Sequence, residues 1–455
     1  MFIERSSARI RTVRTLFVLL GLMPCAGLGG WAVLRHSAAH REAIERRCGA
    51  LLGMPVRIGR VEHLRPDVVR LRECVLSSPA GDDVLAVPVI DVESSATEVR
   101  VSLGRVIVTP QLARATAALA QQWLRQPARF PLDWVVDVGD VAWSGSDGPG
   151  APAEPRRLRV ECVAGDGSRA VRISRSAPGD FGASVDEVRL IATTASGSGE
   201  KIERSDVRLD LAGSVVEPVP VAVLEACAGL DAGTVAVGDD AIARGRIDCT
   251  CQSGQWSGTA HGLVERVDLA ALHLPYELSG EARLSIDRME WTRGRITALA
   301  GGFAATRGVV EQRLLETLVS AVGCRPGPAY RTVAAEAVRA FDEAAGRVQI
   351  GTAGLSLRGA PGRSPALAVV RETALVEVPS AAVPLERLAW LVSPPAAAAV
   401  PASRATGWLL GLFSDELLSG EQGGAAAARA PSAQAERPGR RSGFCRFFDI
   451  RATAI

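Results

Sequence analysis

The sequence contains no asparagine and a single lysine, Lys201. Without asparagine there is no N-glycosylation acceptor, and turns have to be built from Gly, Pro, Asp and Ser. The lone lysine lies in "SGSGEKIE", which lacks the frame of a phosphate-binding P-loop. Ser198 and Lys201 do have S-x-x-K spacing, but a K-T-G companion is impossible with one lysine, and the surroundings read as a flexible turn. No G-x-S-x-G elbow occurs. The five histidines, His36, His40, His63, His261 and His273, form no H-E-x-x-H and do not pair with cysteines at zinc spacing. The expectation is of a non-enzyme with no catalytic residue, no cofactor and no metal. Nine cysteines in 455 residues fall far below the density of a disulfide framework, and an odd number leaves at least one thiol unpaired within the chain. Cys249 and Cys251 share one face of a strand and read, like most of the others, as small buried apolar residues. With 52 basic and 50 acidic residues the net charge is +2, which gives no basic excess for a nucleic-acid partner.

What the sequence does have is apolar material, 47% of residues against 22% charged, enough to bury a core. Thr15 to Leu34 form a run of twenty uncharged residues, "TLFVLLGLMPCAGLGGWAVL". At about 1.5 Å per residue it spans the roughly 30 Å of a bilayer core. Arg5, Arg9, Arg11 and Arg14 precede it, so the positive-inside bias keeps residues 1–14 in the cytoplasm and exports everything after Leu34. A cleaved signal peptide is the rival reading, but no A-x-A site follows. Leu22, Met23 and Pro24 before Cys25 also lack the small residue that lipidation requires. The expected location is the inner membrane, single-pass, with the bulk in the periplasm.

From Arg41 to Leu52 the spacing of Ile44, Cys48, Leu51 and Leu52 predicts an amphipathic juxtamembrane helix, in the segment 35–53, closed by Gly53. Period-two alternation then dominates. Leu158, Val160 and Cys162 oppose Arg157, Arg159 and Glu161; Val207, Leu209 and Leu211 oppose Arg208 and Asp210; Ala282, Leu284 and Ile286 oppose Arg283 and Asp287. Further strands are expected at 55–63, 68–76, 84–93, 99–108, 135–143, 171–175, 185–193, 242–251, 295–304, 348–358 and 372–378. Strands with one buried face point to antiparallel sheet. Helices are expected at Gln111 to Leu124 and as a pair, Val309 to Val322 and Thr332 to Ala345, joined by "GCRPGP". Leu385 to Val392 and Trp408 to Leu418 read as short apolar helices within 386–420. An Ala/Gly/Pro/Arg tract at 421–443 reads as disordered, and 444–455 is an aromatic tail able to dock. The domain reading is a β region at 54–225 and a second at 226–385 that carries the pair at 309–345.

The order of these parts resembles a known family. A basic N-terminus and single anchor lead into "LLGMPVRIGRVEHLRP", then "VVRLRECVLSSP", "VLAVPVIDVESS" and "VRVSLGRVIVTP". Later come "VVDVGDVAWSG", "IARGRIDCTCQSGQWSGTAHG" and "SGEARLSIDRMEWTRGRITALAGGFAATRGVVEQRLLETL". Over most of residues 10 to 360 this resembles the AsmA-like family of bacterial envelope proteins, relatives of TamB. That resemblance implies a mainly β fold, an elongated antiparallel sheet or groove with a few helices, preceded by one N-terminal transmembrane helix. It also implies a role in cell-envelope and outer-membrane biogenesis, with phospholipid or another acyl lipid carried along an apolar groove. Leu158, Val160, Val207, Leu209, Leu211, Leu284 and Ile286 are the candidate groove lining. Three readings compete with it: a closed β-sandwich core with the same periodicity, an envelope scaffold that binds other envelope proteins through sheet edges or the C-terminal tail, and a membrane-anchored hydrolase.

Overall fold

The computed structural model describes residues 7–77, 83–125, 130–144, 156–165, 168–177, 184–194, 207–230, 235–359, 365–393 and 403–419. Ser198, Lys201, the tract 421–443 and the tail 444–455 lie outside them. The chain is mainly β, with eighteen strands among the described residues. It divides into two compact units, Met1–Val106 with Val136–Val138, and Ile107–Val135 with Gly139–Ile455.

In the first unit, α1 (Ser7–Phe17), a π turn (Val18–Leu22) and α2 (Met23–Arg35) follow one another directly. Arg11–Arg35 is long and apolar enough to cross a membrane. Pro24 explains the π turn: it has no N–H to offer the Leu20 carbonyl, and its ring would collide with that carbonyl in a regular helix. The turn widens instead, with the Met23 N–H reaching back five residues to the Val18 carbonyl. A short break leads into α3 (Ala38–Leu52), whose first turn is capped by the Ser37 hydroxyl accepting from the His40 N–H. Gly53, at φ 70°, ends it in the left-handed conformation glycine adopts without a Cβ penalty.

Strands β1 (Val56–His63), β2 (Val68–Ser77), β3 (Asp83–Ser94) and β4 (Glu98–Val108) form an antiparallel meander, with Val61 opposite Leu71, Leu71 opposite Ile90, and Ile90 opposite Leu103. Ile58, Val61, Leu71 and Cys74 make its core, and Ile44 of α3 packs on them. Glu45 of the same helix accepts the Ile58 N–H at 2.8 Å, so α3 also satisfies the outer side of β1.

The second unit begins with α4 (Pro110–Arg125) and most of β5 (Asp133–Trp143). A meander then runs through β6 (Arg157–Gly165), β7 (Ser168–Ser176), β8 (Ser184–Thr194), β9 (Val207–Pro220), β10 (Ile242–Gln252), β11 (Gln255–Asp268), β12 (Leu278–Thr292) and β13 (Arg295–Glu311), each antiparallel to the next. Helix α5 (Val221–Cys227) sits in the β9–β10 connection. β9 and β10 pair from Pro220–Ile242 to Leu209–Cys251, so the sheet is continuous between the two expected β regions, while the division into compact units falls near 106.

The expected helix pair at 309–345 is also corrected. Val309 and Val310 belong to β13, and α6 covers only Gln312–Ser320. After β14 (Arg325–Pro326), residues from Val338 to Gly351 form β15, not a helix. Ala334, Ala337, Val338 and Phe341 do have helical spacing, but β13 offers an unpaired ladder, and β15 pairs with it from Leu299–Ile350 to Glu311–Val338. At Gly308 the ring of Phe341 lies where a Cβ would stand, an aromatic covering a strand glycine. The single strand expected at 348–358 is a hairpin of β15 and β16 (Gly354–Gly359). Strands β17 (Ala366–Val370) and β18 (Thr373–Glu377) follow, β14 pairing with β18.

Around this end lie α7 (Ala389–Val392), preceded by a 3-10 turn at Leu385–Leu388, α8 (Arg404–Gly411) and α9 (Asp415–Ser419). Phe413 interrupts the helix expected from Trp408 to Leu418: Ile296 donates to the Leu412 carbonyl at 2.7 Å and accepts from Ser414 at 3.0 Å. Leu315, Val322, Leu375, Leu385, Phe413 and Leu417 close a core over Ala282, Ala305 and Val310.

Candidate functional site

The sheet of the second unit has two chemically opposed faces, and the strand register shows which residues share them. One lateral row reads Val160, Ile173, Val188, Gly213, Ile247, Ala260, Met289, Leu299 and Ile350, directly opposed partner by partner across nine strands from β6 to β15. Beside it on the same face run Cys162, Val171, Leu190, Leu211, Cys249, Gly258, Trp291 and Ile296. Neither row contains a polar side chain. At about 4.8 Å per strand, eight intervals carry the first row over about 38 Å of sheet.

The other face is ionic. Its intervening row reads Glu161, Arg172, Arg189, Ala212, Asp248, Thr259, Glu290 and Ala298. Arg172 pairs with Glu187 at 2.9 Å, Arg159 with Glu161 at 2.7 Å and Arg208 with Asp210 at 3.0 Å, while Thr250 donates to Asp210 at 2.7 Å. These pairs are exposed, so each adds little stability, but together they keep this face in water.

All seven candidate residues, Leu158, Val160, Val207, Leu209, Leu211, Leu284 and Ile286, lie on the apolar face, and all seven are half-buried. The structure does not give them one environment. Leu209 and Leu211 pack against Cys249, Cys251, Trp256 and Trp291, whereas Leu284 packs against the closed core around α6 and the C-terminal segment. Ile173, Val188, Ile247, Met289 and Leu299 belong to the same half-buried surface and were not singled out in sequence, because Gly213 and Ala260 thin the alternation between them.

Two arginines face inward, at the positions where the apolar alternation of β7 continues. Arg169 donates to the carbonyls of Trp123 at 2.7 Å and Phe130 at 2.9 Å and lies 4.4 Å over the Trp123 ring, which ties the end of α4 to this side of the sheet. Arg175, with its side chain 7% exposed, donates to Asp186 Oδ2 at 2.5 Å and to the Glu217 carbonyl at 3.0 Å, beneath Trp143. Asp186 also accepts from the backbone N–H of Val216 and Glu217. Arg156 completes the group at 2.6 Å from Glu217. The apolar face thus meets a charge-balanced polar cluster near Leu158, which stands opposite Arg175. The signal was present in "AVRISRS", where Arg175 falls on the parity of Val171 and Ile173.

The thiols behave as apolar groups. Burial pushes Cys249 and Cys162 up to about 12, and Cys74 and Cys324 up to about 11, so all four stay protonated at neutral pH. Among the described residues no group of three His, Cys, Asp or Glu is placed to hold a metal ion. No protein-family model, curated protein or solved structure matches this chain. The chemistry of the apolar face is what carries a functional reading.

Proposed function

We propose that the chain is an AsmA-like, single-pass inner-membrane protein of the cell envelope, with its bulk in the periplasm and no enzymatic activity. Its apolar sheet face binds acyl chains of phospholipid or another lipid. The observation that carries this reading is the unbroken row from Val160 to Ile350, in which Val160, Ile173, Val188, Ile247, Ala260, Met289 and Leu299 all remain half-buried. A contiguous apolar surface above a few hundred Å² is rare on a soluble protein without an apolar partner. An acyl chain fits because it needs a continuous strip without hydrogen-bonding groups.

A photoreactive amino acid at Val160 or Leu209 should capture lipid in cells, and one at Arg159 or Arg208 on the ionic face should not. Equal capture on both faces, or none at Val160 and Leu209 in folded, membrane-bound protein, would reject acyl-chain binding. In that event a second reading stands, an envelope scaffold that binds other envelope proteins. It is favoured by the C-terminal segment, which closes its end of the face over Ala282, Ala305 and Val310.

A further inference from the structure

The exported end of the anchor helix gathers basic side chains from three elements. Trp31, exposed on α2 one turn before the helix ends, has the guanidinium of Arg35 4.1 Å over its ring. An exposed tryptophan at that position marks the level of the lipid headgroups when the helix spans a bilayer. His40, in the first turn of α3, has its Nε2 3.2 Å from Nε2 of His63, the last residue of β1. The two rings lie 5.4 Å apart. Burial lowers the His63 pKa first, and the electrostatic effects of Arg35, His40 and His36 lower it further. These three neighbours carry basic side chains, while the Glu62 carboxylate pairs with Arg60 at 3.4 Å and Arg72 at 2.9 Å. Immediately after His63 comes the β1–β2 turn, in which Leu64, Arg65, Pro66 and Asp67 are exposed. Leu64 is 49% exposed, an apolar side chain at the tip of a hairpin held beside the end of a membrane helix.

We propose that Arg35, His36, His40, His63 and Arg65 form a phosphate-binding site for the headgroup of an anionic phospholipid in the leaflet where α2 ends, with Leu64 seated among the tops of its acyl chains. The proposal rests on the reading that Arg11–Arg35 spans a membrane, and it is independent of acyl-chain binding by the sheet face of the second unit. Guanidinium and imidazole N–H groups donate to phosphate oxygens, and a headgroup at this depth meets them without leaving the leaflet. An apolar side chain beside basic ones is the composition of an interfacial anchor. Phosphatidylglycerol carries net negative charge at its phosphate, whereas phosphatidylcholine offsets it with a choline cation, so the two distinguish a site of this kind.

The test uses the full-length chain in lipid nanodiscs, with a benzophenone amino acid at Leu64 and, as a control, at Leu28 in the middle of the anchor. In discs of phosphatidylcholine containing some phosphatidylglycerol, Leu64 should capture phosphatidylglycerol at about fivefold or more above its share of the lipid. Arg65→Gln and, separately, His63→Gln should lower that enrichment, Arg65→Gln by about fivefold. Inorganic phosphate should not compete. Capture in proportion to disc composition, or enrichment unchanged in both variants, overturns the headgroup site. Loss of enrichment on adding phosphate assigns the site to a free anion and overturns it as a lipid site. Lipid captured at Leu28 and none at Leu64 shows that the hairpin tip does not reach the membrane. If Leu28 captures nothing either, the anchoring reading fails with it.

Discussion

Replacing Arg175 by methionine tests whether the ionic cluster at the end of the apolar face is a buried charge pair or a surface one. In the wild-type chain the Asp186 side chain is 8% exposed and holds the Arg175 guanidinium together with the backbone N–H of Val216 and Glu217. Arg175→Met removes the guanidinium paired with that carboxylate and leaves a buried charge facing the backbone N–H groups of Val216 and Glu217. Breaking one side of such a pair costs about 3–5 kcal/mol, because the desolvation of the remaining ion is no longer offset. Asp186→Asn in the same chain removes the stranded charge while its amide oxygen can still accept from Val216, so the double variant should be more stable than Arg175→Met alone. The two substitutions should couple by about 2–3 kcal/mol, at the upper end for residues in direct contact. Hydrogen exchange of the β9 peptide containing Val216 and Glu217 reads the effect locally. A loss of 3–5 kcal/mol corresponds to about two to nearly four orders of magnitude in protection, at tenfold per 1.4 kcal/mol. A loss below about tenfold, or additive effects of the two changes, would mean that water reaches Asp186 and that the cluster is an ordinary surface ion pair.

Alkaline stability depends on the thiols. The folded-state pKa of Cys249 and Cys162 is raised from 9.0 to about 12, so their contribution is complete below pH 9 and is lost as pH rises from about 9 to about 12. Each thiol should give a slope of about −1.4 kcal/mol per pH unit in that window, measured by urea unfolding, and Cys249→Ala should remove one such slope; an unchanged slope in the variant would refute the burial argument. The proposed topology rests on the four arginines before the apolar run. A reporter active only outside the cytoplasm should be active when fused to the C-terminal end, and activity of a cytoplasm-only reporter there would overturn the orientation.

The legible parts of the fold were those in which one local period matched one environment. Ile44, Cys48, Leu51 and Leu52 with a terminal Gly53 sufficed for α3, and the alternations at 157–162, 206–211 and 281–287 sufficed for β6, β9 and β12. Strand β11 was not singled out, since Gly258, Ala260 and Gly262 put almost no side chain on its inner face and erase the apolar half of the pattern. Residues 338–345 had helical spacing and became the first part of β15, because spacing records which side chains can share a face and not whether a neighbouring ladder such as that of β13 is left open for pairing.

From the sequence alone came the apolar helix long enough to cross a membrane, the arginines before it, and the parity that sets Leu209 and Leu211 against Arg208 and Asp210. Each rests on residues within a few positions of one another. Tertiary structure alone decided which of those apolar residues are covered. Leu284 and Leu209 have the same local pattern, yet Leu284 lies against a core closed by Leu315, Leu385 and Phe413, while Leu209 packs on Cys249, Cys251, Trp256 and Trp291 from neighbouring strands. The partners arrive from up to 129 residues away, between Leu284 and Phe413, and burial at such separations is set by the register of the sheet and the path of the chain after β13, which no local period encodes.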